Sequence, residues 1–173
     1  TELPIKIDNA NGVTAVDFDL VYDPALLTVN SASLAAGLPP GWSLTANYVS
    51  PGYVKFTVSG TTALVGANVS LISLNAAVPS DAPYRDSQII RIANLRINED
   101  GIASKADYAF HKVAHLGDVM GNRVYTSGDA AFISMVVVAL HNGFDAYQTT
   151  DPVIVGDVTG DGTLSGQDVS DVA

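Results

Sequence analysis

Val16-Asp17-Phe18-Asp19-Leu20-Val21-Tyr22-Asp23-Pro24-Ala25-Leu26-Leu27 is the stretch on which the fold turns. Successive side chains of an extended chain point to opposite sides, so Val16, Phe18, Leu20 and Tyr22 share one face and Asp17 and Asp19 the other. One packed face and one wet face describe a strand of an antiparallel sandwich. Asp23-Pro24 ends it, because proline lacks an N–H and restricts the residue before it. Leu26–Asn30 resumes an extended chain.

The same alternation spreads outward in both directions. Leu3, Ile5 and Ile7 form a strand that ends in the turn Asn9-Ala10-Asn11-Gly12. Gly37-Leu38-Pro39-Pro40-Gly41 is a loop, and Trp42–Val49 and Tyr53–Ser59 read as a hairpin across Ser50-Pro51-Gly52. Val69–Val78 is a further apolar run, followed by the proline-containing connection Ser80–Asp86. Ile89, Ile90, Ile92, Leu95 and Ile97 mark another strand, closed by Asn98-Glu99-Asp100-Gly101, and Asp107–His115 is the last. Short strands separated by turn signals predict a mainly β sandwich.

From Ser127 the period changes. Ala130–Leu140 is too long an apolar run for a strand, with Asp129 as the expected N-cap and Gly143 as the expected stop, so it reads as a helix. It is apolar nearly all round and is expected to be buried on most sides. Another helix start follows at Gln167–Ala173.

Composition narrows the function classes. Of 173 residues 47% are hydrophobic, enough for a core, and there is no cysteine, so disulfides play no part. The net charge of −10 is unevenly placed: residues 1–116 hold 7 basic and 10 acidic residues, residues 117–173 only Arg123 against 8 acidic. Nucleic acid and anionic membranes need clustered Lys and Arg and are excluded as expected partners. The longest glycine-free apolar run, Met135–Leu140, is far short of a membrane span. No signal-peptide pattern opens the chain, and Thr1-Glu2-Leu3-Pro4 reads more as the middle of a domain than as a natural start.

The acidic segment contains a twelve-residue loop, Asp157–Asp168, with oxygen-bearing side chains at positions 1, 3, 5, 9 and 12 and Gly162 at position 6. A hard cation such as Ca²⁺ wants six to eight oxygens, and Asp157, Thr159, Asp161, the Thr163 carbonyl, Asp168 and a water near Ser165 can supply them. A plain turn would account for Gly160 and Gly162 but not for the carboxylates at positions 1, 5 and 12. The loop is also the second copy of a repeat. Gly117-Asp118-Val119-Met120-Gly121-Asn122 aligns with Gly156–Asp161, and Ser127-Gly128-Asp129 with Gly166-Gln167-Asp168, at a period of 39 residues. Each loop is followed by a helix start, and neither is clearly preceded by a helix.

This order, loop then helix, twice, resembles the dockerin module over residues 117–173. The resemblance implies calcium in both loops, held in the second by Asp157, Thr159, Asp161, Thr163 and Asp168, and in the first by Asp118, Asn122, the Val124 carbonyl and Asp129. The first loop departs at Met120, a thioether where an oxygen is wanted, and at Arg123, where glycine is expected. Either a weakened site or a structural loop without metal follows. The partner-contacting pairs implied by the resemblance, Ser127-Gly128 and Gly166-Gln167, differ from each other.

The quoted stretch Val16–Leu27, with its alternating strand running into Tyr22-Asp23-Pro24, is similar to cohesin domains, and so is the later strand order. That resemblance covers residues 1–115 and implies a nine-stranded jelly-roll sandwich that binds dockerins, with the first strand missing here and an open sheet edge in its place. His115-Leu116 runs almost directly into Asp118, so the calcium-loop module is expected to pack against the sandwich as a fixed unit.

Catalysis is not expected. His111 and His115, four apart on a strand, lie about 13 Å apart, too far for one metal. Asp17 and Asp19 share a strand face without a sugar cleft, and no serine has a nucleophile-elbow context. Trp42, Tyr48 and Tyr53 offer a sugar-stacking strip, although a lone tryptophan in a small sandwich is more often core. The chain therefore reads as a non-catalytic extracellular or cell-surface module. Its expected role is protein–protein assembly with cohesin or dockerin modules in cis or in trans, linked by resemblance to polysaccharide degradation. Carbohydrate binding, adhesion, or a purely structural unit are the alternatives.

Overall fold

The computed structural model describes residues 2–173, and the chain divides into two compact units: residues 1–83 with 87–111, and residues 84–86 with 112–173. The first is built from β1 (Glu2–Asn9), β2 (Ala15–Val21), β3 (Thr28–Leu34), β4 (Ser43–Ser50), β5 (Tyr53–Ser59), β6 (Ala67–Ala77), β7 (Ser87–Ile97) and β8 (Tyr108–Lys112). These strands form two sheets, ordered β1-β6-β3 and β4-β5-β2-β7-β8. The alternating stretch is the central strand of the larger sheet: Phe18 lies opposite Phe56, their ring centroids 5.2 Å apart. Val16, Phe18 and Leu20 of β2 and Val54, Phe56 and Val58 of β5 meet Leu71, Ile72 and Leu74 of β6 in one buried cluster. Each such side chain contributes about 1.5–3 kcal/mol by leaving water.

β2 and β7 do not pair evenly. Asp17 is opposite Arg96, but Asp19 is opposite Ala93, so two residues of β7 face Phe18 and form a β-bulge. Asn94, in the bulge, takes the left-handed conformation with φ 50°. The consequence corrects the expectation that Asp17 and Asp19 both lie on a solvated face. Asp17 accepts from Thr57 Oγ1 at 2.7 Å in an exposed setting, whereas Asp19 is only 6% exposed. Tyr53 and Asn94 cover Asp19, each donating to its Oδ2 at 2.6 Å, with Lys55 Nζ at 3.9 Å.

Trp42 is core, 8% exposed, its indole N–H donating to the Thr62 carbonyl at 2.9 Å. Gly60 lies against its ring, closely enough that a Cβ there would collide with the indole. The proposed sugar-stacking strip therefore loses its tryptophan. β1 is an edge strand, and beside it a cavity of about 320 Å³ is lined by Leu3, Ile5, Leu20, Ile90, Ile92 and Phe110 among others.

The second unit holds α1 (Ser127–Val137), a 3₁₀ turn at Asp145–Tyr147, α2 (Pro152–Gly156) and α3 (Gly166–Val172). α1 and α3 pack around Val119, Ala130, Ile133, Phe144, Tyr147, Val155 and Val172. Four expectations need correction here. The N-cap of α1 is Thr126, and Asp129 stands at N3, its side chain accepting from the Thr126 N–H. The helix stops at Val137 rather than near Gly143: Ala139 turns left-handed at φ 57° and the Leu140 N–H closes back on the Met135 carbonyl at 2.8 Å. Burial is confined to one stripe, Asp129, Ala130 and Ile133, while Val138 and Leu140 are 62% and 74% exposed. Finally, a helix does precede the second loop, since Asp151 caps α2 and Pro152 fills its first turn, where the missing N–H costs nothing.

Candidate functional site

The two loops of the second unit fold alike, residue by residue. In the second, the Asp157 carboxylate accepts the Asp161 N–H at 3.2 Å and the Gly162 N–H at 2.7 Å; in the first, Asp118 accepts Asn122 at 3.1 Å and Arg123 at 2.6 Å. Asp168 accepts the Thr159 and Ser165 N–H groups at 3.0 and 2.8 Å, as Asp129 accepts those of Met120 and Thr126, both at 2.9 Å. Thr163 and Val124 donate to Asp161 and Asn122 two residues back, at 2.8 and 2.9 Å. Both loops need left-handed backbone at positions 4 and 6. Gly160 and Gly162 supply it at φ 73° and 88°, Gly121 and Arg123 at φ 67° each.

Asp118, Asp129, Asp157 and Asp168 are buried, while Asn122, Val124, Thr159, Asp161 and Thr163 are exposed. Burial alone would raise the Asp168 carboxyl, but N–H donation by Thr159 and Ser165 and their hydroxyls outweighs it and brings the pKa to about 2. Asp157 is likewise held below its ordinary value, against the cost of its burial, chiefly by the Gly162 and Gly160 N–H groups. Among the described residues no three His, Asp or Glu side chains form a metal cluster; these aspartates are spent on the loop's own N–H groups.

The oxygens at positions 1, 3 and 12 nevertheless converge in the second loop. Thr159 Oγ1 lies 3.1 Å from Asp157 Oδ1 and 3.0 Å from Asp168 Oδ1. Two carboxylates are thus gathered on one hydroxyl, and among the described residues neither has a basic partner. With no basic residue in the loop, these oxygens are hard donors of the kind that Ca²⁺ takes, while the Asp161 carboxylate is turned to the Thr163 N–H and hydroxyl. The first loop does not offer the same set. At position 3 stands Met120, whose sulfur meets the Thr126 hydroxyl at 4.0 Å, and no oxygen joins Asp118 to Asp129 there.

The first unit presents a different feature that alternation alone did not single out. On the outward face of the larger sheet, Thr45, Thr57 and Asp17 stand in one row, and Asn47, Lys55 and Asp19 in the next. Tyr53, Val21 and Arg91 form a third row. The result is a largely polar sheet face with charges of both signs. His111, at 3.2 Å from Gln88, and His115, ring to ring with Tyr84 at 5.3 Å, are engaged separately.

Comparison with known proteins bears on the first unit. Among curated proteins none matches this chain. Solved structures do. The CaDoc0917–CaCohA2 complex, whose CaCohA2 is from Clostridium acetobutylicum, gives a TM-score of 0.55 at 16% identity, covering 65% of this chain and 88% of that one. A non-cellulosomal cohesin from the hyperthermophilic archaeon Archaeoglobus fulgidus gives 0.54 at 20% identity, covering 68% and 82%. The sixth cohesin of scaffoldin B from Acetivibrio cellulolyticus, in complex with a mutant Cel5 dockerin, gives 0.52 at 19%, covering 64% and 85%. These likenesses show the sandwich fold. The family model of the cohesin domain matches residues 1–113, so the chain belongs to the cohesin domain family.

Proposed function

We propose that this chain is a non-catalytic assembly module of a larger extracellular or cell-surface protein. Its sandwich binds a dockerin, and its acidic second unit binds Ca²⁺ at the Asp157–Asp168 loop. The observation that carries the first part is the cohesin family match over residues 1–113. It is supported by the dockerins seen with CaCohA2 and with the scaffoldin B cohesin. The polar sheet face of Asp17, Thr45, Asn47, Lys55 and Thr57 suits a protein partner, since a surface with interspersed charges can steer and orient one. Duplicated loops followed by α1 and α3 support a dockerin-like organisation of residues 117–173, acting on a cohesin in cis or in trans. A role in polysaccharide-degrading assemblies belongs to the same proposal.

When bound, the cation would supply charge compensation for Asp157, Asp161 and Asp168. The residues themselves then shape the loop: Gly160 and Gly162 allow the turn, and Ser165 and Asp168 cap α3. The test is calorimetric titration of the full chain against a panel of dockerin modules. Binding at micromolar or better by at least one, weakened tenfold or more by the exposed-face pair Thr45→Arg with Asn47→Arg, supports the reading. Retained binding in that variant would move the interface elsewhere, and no binding by any dockerin would end the proposal.

A further inference from the structure

The two loops share a backbone but not their surroundings, and the difference lies in a residue from a distant part of the sequence. Tyr84 belongs to the second unit, and its hydroxyl donates to Asp118 Oδ2 at 2.5 Å, where the Arg123 N–H also arrives at 2.6 Å. The phenol oxygen in turn accepts the His115 N–H and the Tyr147 hydroxyl, both at 3.2 Å. Arg123 places its guanidinium over the Tyr84 ring, 5.0 Å from the centroid. At Asp157 the Gly162 N–H takes the place of the Arg123 N–H, but among the described residues no hydroxyl from outside the loop donates there.

Space and charge differ in the same direction. A Cβ on Gly121 would meet Arg85 and Ala146 at 2.8 and 3.0 Å, whereas Gly160 and Gly162 have nothing within 4 Å. The second loop is therefore open at its turn and the first is walled in. Residues 157–168 carry three aspartates and no basic residue; residues 118–129 carry two aspartates and Arg123.

From this, and resting on the calcium reading of the second loop, we infer that the first loop is a metal-free copy whose cation has been replaced from within. Tyr84 supplies a hydrogen bond from outside the loop, Arg123 its N–H with the guanidinium over the Tyr84 ring, and Met120 stands where the second loop has its bridging oxygen. The chain accordingly binds one Ca²⁺, at the second loop, and the first loop keeps its shape without it. Arg123 holds the left-handed position that its partner loop gives to Gly162, and its stacking on Tyr84 fixes it there.

Native mass spectrometry of the full chain with calcium chloride tests this directly. One ion per chain is expected for the wild type, one for Asp118→Asn and none for Asp157→Ala. Two ions on the wild type would overturn the inference while leaving the calcium reading in place; none would overturn the calcium reading itself. Hydrogen exchange gives an independent measurement: a chelator should strip protection from amides of residues 157–168 and leave those of 118–129 unchanged. Calcium-dependent protection in both loops would also defeat it. The triple variant Tyr84→Phe, Met120→Thr, Arg123→Gly, provided it is folded, should gain a second ion, and its failure to do so would count against the assignment of these three residues.

Discussion

Asn94, held left-handed in the bulge of β7, donates its side-chain amide to Asp19 Oδ2 in β2 at 2.6 Å, joining an irregularity of one strand to the buried carboxylate of its neighbour. Burial would by itself raise the Asp19 pKa, but donation by Tyr53 and Asn94 and the charge of Lys55 bring it below the ordinary value. A carboxyl depressed in the folded state contributes stability that is present above its unfolded pKa, about 3.9, and lost as pH falls through the folded value. The wild type should therefore lose stability below about pH 4, and Asp19→Asn should show a shallower decline there. Denaturant midpoints measured from pH 7 to pH 2 check this. At neutral pH the same variant should be less stable by about 1–3 kcal/mol, because a hydrogen-bonded charge is removed.

The only tryptophan offers a direct probe of the first unit. Gly60→Ala places a methyl group against the Trp42 ring, which is tied by its N–H to Thr62 and has little room to retreat. Overpacking of this kind costs about 1–3 kcal/mol. Unfolding followed by tryptophan fluorescence should show the lower midpoint together with an altered native emission.

Removal of calcium should act on the second unit. A ligand at a hundredfold over its dissociation constant adds about 2.7 kcal/mol of stability at one site. Chelation should lower the melting temperature accordingly, by one site's worth rather than two. In Asp157→Ala the melting temperature should be the same with and without chelator. Differential scanning calorimetry makes the comparison.

Tyr84→Phe should destabilise the chain by about 1.5–3 kcal/mol, the range for a hydrogen bond to a charged group. Because the first loop is proposed to hold no ion, the loss should be equal in calcium and in chelator. A loss seen only in calcium would tie Tyr84 to ion binding instead.

Much of the sandwich was legible because a period of two is set by strand geometry and needs no tertiary information. The hairpin of β4 and β5 and the strand at Ala15–Val21 follow from alternation and turn residues alone, whereas the central place of that strand does not. The bulge at Asn94 did not follow, since an extra residue breaks the pattern only relative to the partner strand. The apolar run after Ser127 misled for another reason. A segment apolar on every side carries no phase, so neither its buried stripe nor its end at Val137 is marked. The caps were written in the sequence as Thr126-x-x-Asp129 and Ser165-x-x-Asp168, each three positions before the aspartate. Tyr84 was not legible at all, because nothing local links position 84 to position 118.

The shared capping arrangement has a practical consequence for mutagenesis. Asp168 uses Oδ1 toward Thr159 in the loop and Oδ2 toward Ser165 at the start of α3. Asp129 divides its two oxygens between Met120 and Thr126 in the same way. An alanine at either position thus injures a turn and a helix together, and a lost function in such a variant has two sources. The Asp157 side chain accepts only from within its loop, which makes it the cleaner handle for separating ion capture from helix placement.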